Sequence, residues 1–183
     1  MTLSYIVLEG NKNQEIIEKL LPKNLIQDVK IVVGESQYEV RSLASSLIAT
    51  RHIPVILILD ANTDNESQIF EKRDLVNYLL RRAAAKTPFQ VSLAIPEIEI
   101  IFLQNKPLIE KIAQRQFNDL EWQLAQSKPK EFLETVLGKE QSISEKIFSN
   151  INHEEIKILQ QHPLIQEIME FLSLLTPSFV SIN

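Results

Sequence analysis

Two apolar runs in this chain each end in a carboxylate, and such a placement is where chemistry is most readily built. Val55-Ile56-Leu57-Ile58-Leu59 stops at Asp60, with Asn62 and Asp64 close behind, and the run from Leu3 to Leu8 stops at Glu9-Gly10. A continuous apolar run bounded by polar turn residues reads as a buried parallel strand. In an open α/β sheet, ligands gather just beyond the carboxyl ends of such strands. If the two strands are neighbours, Glu9 and Asp60 stand roughly one strand spacing, about 5 Å, apart. Asp64, one loop later, can reach back toward them. Oxygen-rich sites of this kind suit magnesium or manganese, which take carboxylates and keep several waters. The competing reading is local: Asp after a strand is often a helix cap or turn former, and Asn62, Asp64 and Asn65 fit that role too.

The elements that must position these groups alternate. After Glu9, Asn11 or Asn13 can cap a helix in which Ile16, Ile17, Leu20 and Leu21 recur at helical spacing before Pro22. Val29 to Val33 reads as a second strand and Gln37 to Arg51 as a helix, with Val40, Leu43, Ala44, Leu47 and Ile48 on one face. Asn65 opens a helix carrying Ile69, Phe70, Leu75, Val76, Leu79 and Leu80, and Phe89 to Ile95 reads as a fourth strand cut off by Pro96. Strands alternating with helices argue for a Rossmann-like, mostly parallel four-stranded sheet flanked by helices. Beyond it, apolar residues recur only at helical spacing, as in Ile109, Ile112 and Ala113 or Ile143, Ile147 and Ile151. The expected organisation is an α/β domain over 1–103, then an all-helical region over 104–183 that packs on it or forms a small lobe.

Composition narrows the chemistry. Cysteine is absent, which excludes disulfides, thiolate metal sites and a cysteine nucleophile. With three glycines, neither a P-loop nor a dinucleotide fingerprint can be written. A net charge of −5 gives no global footprint for nucleic acid, so contact with a polyanion needs a local basic patch or a bound metal. The N-terminus lacks a basic segment followed by an apolar run, so a cytoplasmic location is expected. His52, His153 and His162 are scattered without zinc spacing.

Several further residues have two readings. Gly34 and Ser36 follow the second strand on the presumed active edge, where Ser36 can contact a phosphate or cap the next helix. Lys106 and Lys111 are placed to approach a substrate or to decorate an amphipathic helix. Arg41, Arg73, Arg81 and Arg82 suit phosphate contact, but Arg81-Arg82 near a helix C-terminus also complements the macrodipole. Trp122, between Leu120 and Leu124, reads as a partly buried helical position.

The order Tyr5-Ile6-Val7-Leu8-Glu9-Gly10, helix, strand, helix, Ile56-Leu57-Ile58-Leu59-Asp60 resembles the TOPRIM domain of topoisomerases, bacterial primases and the overcoming-lysogenization-defect nucleases. Ile95-Pro96-Glu97-Ile98-Glu99 is similar to the Pro-x-x-Glu segment after the last strand in small TOPRIM-like proteins of bacterial defence and mobile-element loci. The resemblance covers about residues 3 to 103. It implies that Glu9 is a metal ligand or general acid/base and that Asp60 is a magnesium ligand. It also implies that Glu99, and less directly Glu97, stands near the metal. Asn62 occupies the position of the family's second Asp, where it offers a neutral oxygen but no charge, and Asp64 is the candidate substitute. The function implied is metal-dependent nuclease chemistry on DNA or RNA. The alternative is a catalytically weakened binding module that partners an ATPase or another protein.

Overall fold

The computed structural model describes residues 3–175. Its centre is one all-parallel sheet of four strands, β1 (Ser4–Glu9), β2 (Val29–Gly34), β3 (Val55–Asp60) and β4 (Phe89–Ala94), in the order β2-β1-β3-β4. The expected fold class is the observed one. Helices α1 (Asn11–Leu20) and α2 (Lys23–Ile26) join β1 to β2, α3 (Gln37–Arg51) joins β2 to β3, and α4 (Glu66–Ala84) joins β3 to β4. A 3-10 helix at Ile98–Gln104 follows. Then come α5 (Lys106–Ala113), α6 (Asp119–Ala125), α7 (Pro129–Leu137), α8 (Ile143–Phe148), α9 (His153–Gln160) and α10 (Pro163–Leu175). Residues 176–183 of the expected helical region lie outside the described residues.

Strand residues alternate between the two faces of the sheet, and each face has its own core. Tyr5, Val7, Val55, Leu57, Leu59, Val91 and Leu93 pack with Val40, Ala44 and Ile48 of α3 and Val76 and Leu80 of α4. Ile6, Leu8, Ile56 and Ile58 pack on the opposite side with Ile16, Ile17 and Leu20 of α1 and with the 3-10 helix. The same core takes in Leu133 and Leu137 of α7, Ile147 of α8, Leu159 of α9 and Ile165 and Ile168 of α10. The helical region therefore serves as the second cover of the sheet. Strands buried on both faces must be apolar throughout, which is why β1 and β3 read as continuous runs.

Local signals set the helix starts. Ser36 caps α3 by accepting from Glu39 N at 3.2 Å, and Asn65 caps α4 by accepting from Gln68 N at 3.1 Å. Gly34 permits a close approach of α3 to the sheet, because a Cβ there would lie 2.7 Å from Val40 Cγ1. The apolar positions of α4 are only partly used inside: Val76 and Leu80 are buried, whereas Phe70 is 65% and Leu75 53% exposed. Helical spacing alone drew that face too wide, since the sheet accepts one narrow stripe of a helix lying on it.

Candidate functional site: an acidic cleft at the switch point

The strand order reverses at β1: the chain leaves it toward β2 on one side, while β3 lies on the other. The ladder between β1 and β3 runs from Tyr5–Val55 to Val7–Leu57 and stops short of Glu9 and Asp60. This is the crevice that an open α/β sheet offers a ligand. A cleft of about 560 Å³ occupies it, lined by Glu9, Asp60, Glu97 and Glu99, by Asn62, and by Lys12 and Lys130.

Each acidic group arrives by a different device. Glu9 ends β1 and is followed by Gly10, which turns at φ 80° and donates its N–H to Gly34 O at 3.0 Å. Glycine suits that turn because positive φ strains other residues. Asp60 ends β3, and its Oδ1 accepts from Ile98 N at 2.9 Å. That bond ties the carboxylate to the first turn of the 3-10 helix, the element that carries Glu99. The Asp60 carbonyl accepts from Lys72 Nζ at 2.6 Å and Gln37 Nε2 at 3.0 Å. Glu97 accepts from Lys130 N at 3.2 Å, which holds the start of α7 against the cleft.

Burial and like charge dominate the electrostatics. Burial, followed by the negative charge of Glu99, raises Asp60 from 3.8 to about 7; Glu97 and Glu9 add to this and the Ile98 N–H opposes it. Burial also raises Glu99, with Lys130 pulling it back. Lys72 is lowered, first by burial, although Asp60 and Glu9 favour its charged form and Arg41 opposes it. Carboxylates gathered so that one is held protonated near neutrality are poised for a proton or a cation.

The all-oxygen donor set suits a hard cation. Among the described residues, however, no three acidic or imidazole groups are spaced to form a ready cage, and one Asp60 oxygen is already engaged by Ile98 N. Magnesium or manganese, which use one or two carboxylates and retain water, fit this arrangement better than a fully caged ion does.

Glu9, Asp60, Glu97, Glu99 and Asn62 are brought together; other expected site residues are not. Asp64 is exposed and does not line the cleft. Asn62 adopts a left-handed conformation at φ 58°, with its N–H donated to Pro96 O at 2.8 Å. Asn tolerates that conformation better than most residues, so its presence has a backbone reason. Ser36 is a helix cap and Gly34 is packed under Val40. Lys106 lies 3.8 Å from Asp119 and over the Trp122 ring, and Lys111 pairs with Glu155 at 2.6 Å, all within the helical region. Sequence reasoning missed Lys12 and Lys130 as cleft residues. Lys12 had a signal, three positions after Glu9 at a helix start; Lys130 had none, being placed by tertiary packing alone.

The fold and the site define an α/β protein with an acidic cleft at its switch point. Among the described residues, no helix is long and apolar enough to cross a membrane. No protein-family model and no curated protein matches the chain. Two solved structures of the C-terminal region of the Xanthomonas campestris pv. campestris OLD protein are similar to it. One, phased with iodine, has 11% identity and a TM-score of 0.45, covering 95% of this chain and 97% of that one. The other, phased with mercury, has 12% identity and a TM-score of 0.42, covering 95% and 98%.

Proposed function

We propose that the chain cleaves nucleic-acid phosphodiesters at the acidic cleft with the help of magnesium or manganese. The observation that carries this reading is Asp60, held near neutrality among Glu9, Glu97 and Glu99 at the switch-point crevice. Asp60 and Glu99 would hold the cation, with water at its remaining positions. When bound, such an ion polarises a phosphoryl oxygen and lowers the pKa of coordinated water. Glu9, which lines the cleft at the end of β1, would take a proton from the attacking water. Lys12 and Lys130 supply the local positive rim that a chain of net charge −5 needs to approach a phosphate. The TOPRIM-like order of Glu9-Gly10, Asp60 and Pro96-Glu97-Ile98-Glu99 supports the same reading and suggests a bacterial defence or mobile-element setting.

A second reading has its own observation. Asn62 stands where a second charge is expected, its backbone is committed to Pro96, and Asp64 lies outside the cleft. On this reading the chain is a catalytically weakened module that partners an ATPase or another protein. Plasmid nicking with magnesium or manganese separates the two. Nicking abolished by Asp60→Ala and by Glu9→Ala supports the enzyme. Absence of any cation-dependent thermal shift in the wild type sinks it, because a ligand bound only by the folded state must stabilise that state.

A further inference from the structure

A second cavity of about 360 Å³ opens beside the acidic cleft and shares Lys12, Glu99 and Lys130 with it. Its far wall is the α7–α8 connection with Lys139 and Ser142, and its floor is apolar, with part-exposed Ile143 lying beside buried Ile16 and Phe102. Its size falls within the range, about 300–1,000 Å³, of sites that take small organic groups.

The lysines around it make no side-chain hydrogen bond or ion pair among the described residues, although the charge of Lys130 reaches Glu99. Of the seven lysines in the helical region after residue 104, five are tied down. Lys106, Lys111, Lys128 and Lys157 are in ion pairs, and Lys146 donates to the Leu137 carbonyl. The remaining two, Lys130 and Lys139, are those that line this cavity, and neither carries a side-chain hydrogen bond or ion pair among the described residues. Lys12, contributed by α1, is equally unpaired. Away from the shared edge the lining is mixed: Glu134, Glu140, Gln141 and Ser142 offer both acceptors and donors. A pocket built only for phosphate would not carry those carboxylates. An apolar floor with mixed polar walls suits a nucleobase, whose faces are apolar and whose edges carry both donors and acceptors.

We propose that this cavity is a nucleotide subsite that takes a base of a single strand whose backbone passes Lys12 and Lys130 from the acidic cleft and sets its next phosphate against Lys139. It rests on the phosphodiester reading above and names the substrate form. A base can enter a side cavity only when it leaves the helical stack, which is cheapest in a single strand or frayed end. Single strands are therefore preferred over duplex.

The test is fluorescence anisotropy of the whole chain with a short labelled oligothymidylate and with the matching duplex, calcium replacing magnesium. Single strands should bind more tightly than duplex. Lys139→Ala should weaken single-strand binding several-fold and flatten the salt slope by about 0.7, the value for one lost phosphate contact. Ile143→Trp, which fills the floor, should weaken it about tenfold, as loss of one base contact does. Equal binding by wild type and both variants, tighter duplex binding, or no binding to either probe overturns the proposal. Plasmid nicking by the same proteins keeps the two readings apart. A wild type that nicks while both variants bind unchanged overturns the subsite alone. A wild type that binds single strands through Lys139 but, with magnesium or manganese, cleaves neither plasmid nor the oligothymidylate upholds the subsite and removes the nuclease.

Discussion

Carboxylates in the cleft and the ion-paired carboxylates of the helical region are pushed in opposite directions. In the cleft, burial and like charge raise Asp60 to about 7 and raise Glu99 as well. In the helical region the paired Glu121, Glu154 and Glu155 are lowered, whereas Glu167 of α10, part-buried against the sheet, is raised by burial. Glu121 accepts from the Asn118 N–H and from Arg115, Glu154 from Lys157, and Glu155 from Lys111. The same side-chain chemistry is therefore used for stability in one place and held against stability in the other. Gathering partly buried acids with little more than backbone N–H groups to offset them costs a fold stability, and that cost is the physical argument for reading the cleft as a site.

The largest expected break in this contrast is Asp60→Asn. A carboxyl raised by folding makes the folded state the better proton binder between 3.8 and about 7, so its contribution weakens the fold as pH rises through that window. The amide keeps an oxygen for the Ile98 N–H and removes the charge. At about 1.4 kcal/mol per pH unit, the window sets a ceiling of about 4 kcal/mol of stabilisation at pH 8. Urea unfolding should show the gain shrinking steadily as pH falls toward 4; a variant less stable than wild type at pH 8 contradicts the electrostatic picture. Next in size, magnesium or manganese should offset the same repulsion. At a hundredfold excess over Kd the gain is about 2.7 kcal/mol, larger at pH 8 than at pH 5 and absent in Asp60→Asn.

The helical region should respond in the ordinary way. Asn152 caps α9 by accepting from Glu155 N at 2.9 Å, and Asn152→Ala should cost about 1 kcal/mol in thermal or urea unfolding. Smallest of all, Lys106→Ala loses ion pairs of 4.0 and 3.8 Å to Glu110 and Asp119 and should cost less than about 1 kcal/mol. It should leave oligonucleotide binding unchanged; a drop like that of Lys139→Ala would erase the distinction between committed and uncommitted lysines.

Much of the fold was legible for physical reasons. Strands β1 and β3 are buried on both faces, so their residues had to be apolar and their ends had to show as Glu9 and Asp60. Ser36 and Asn65 announced the helices that follow. The short elements were not legible: α2, at Lys23–Ile26, has too few residues to display a period, and the 3-10 helix at Ile98–Gln104 looked like the tail of a motif. Lys106 and Lys111 looked available because a sequence shows charge but not partners, and Asp119 and Glu155 claim them only after folding. Asn62 read as a lost charge, whereas the structure gives it a left-handed turn to make.

The sequence by itself determined the alternation of strands and helices and placed Glu9 and Asp60 on one edge of a parallel sheet, because side-chain period and strand-end position are local properties of the chain; Glu99 entered only through the TOPRIM resemblance. Only the tertiary structure decided what that edge can do. Strand order set β1 beside β3 and opened the crevice between them. The helical region, by covering the face that carries Ile6 and Ile56, brought Lys130 and the second cavity to the cleft. Burial then turned Asp60 from an ordinary acid into one titrating near neutrality. Desolvation and long-range charge are sums over the whole fold, and no window of sequence contains them.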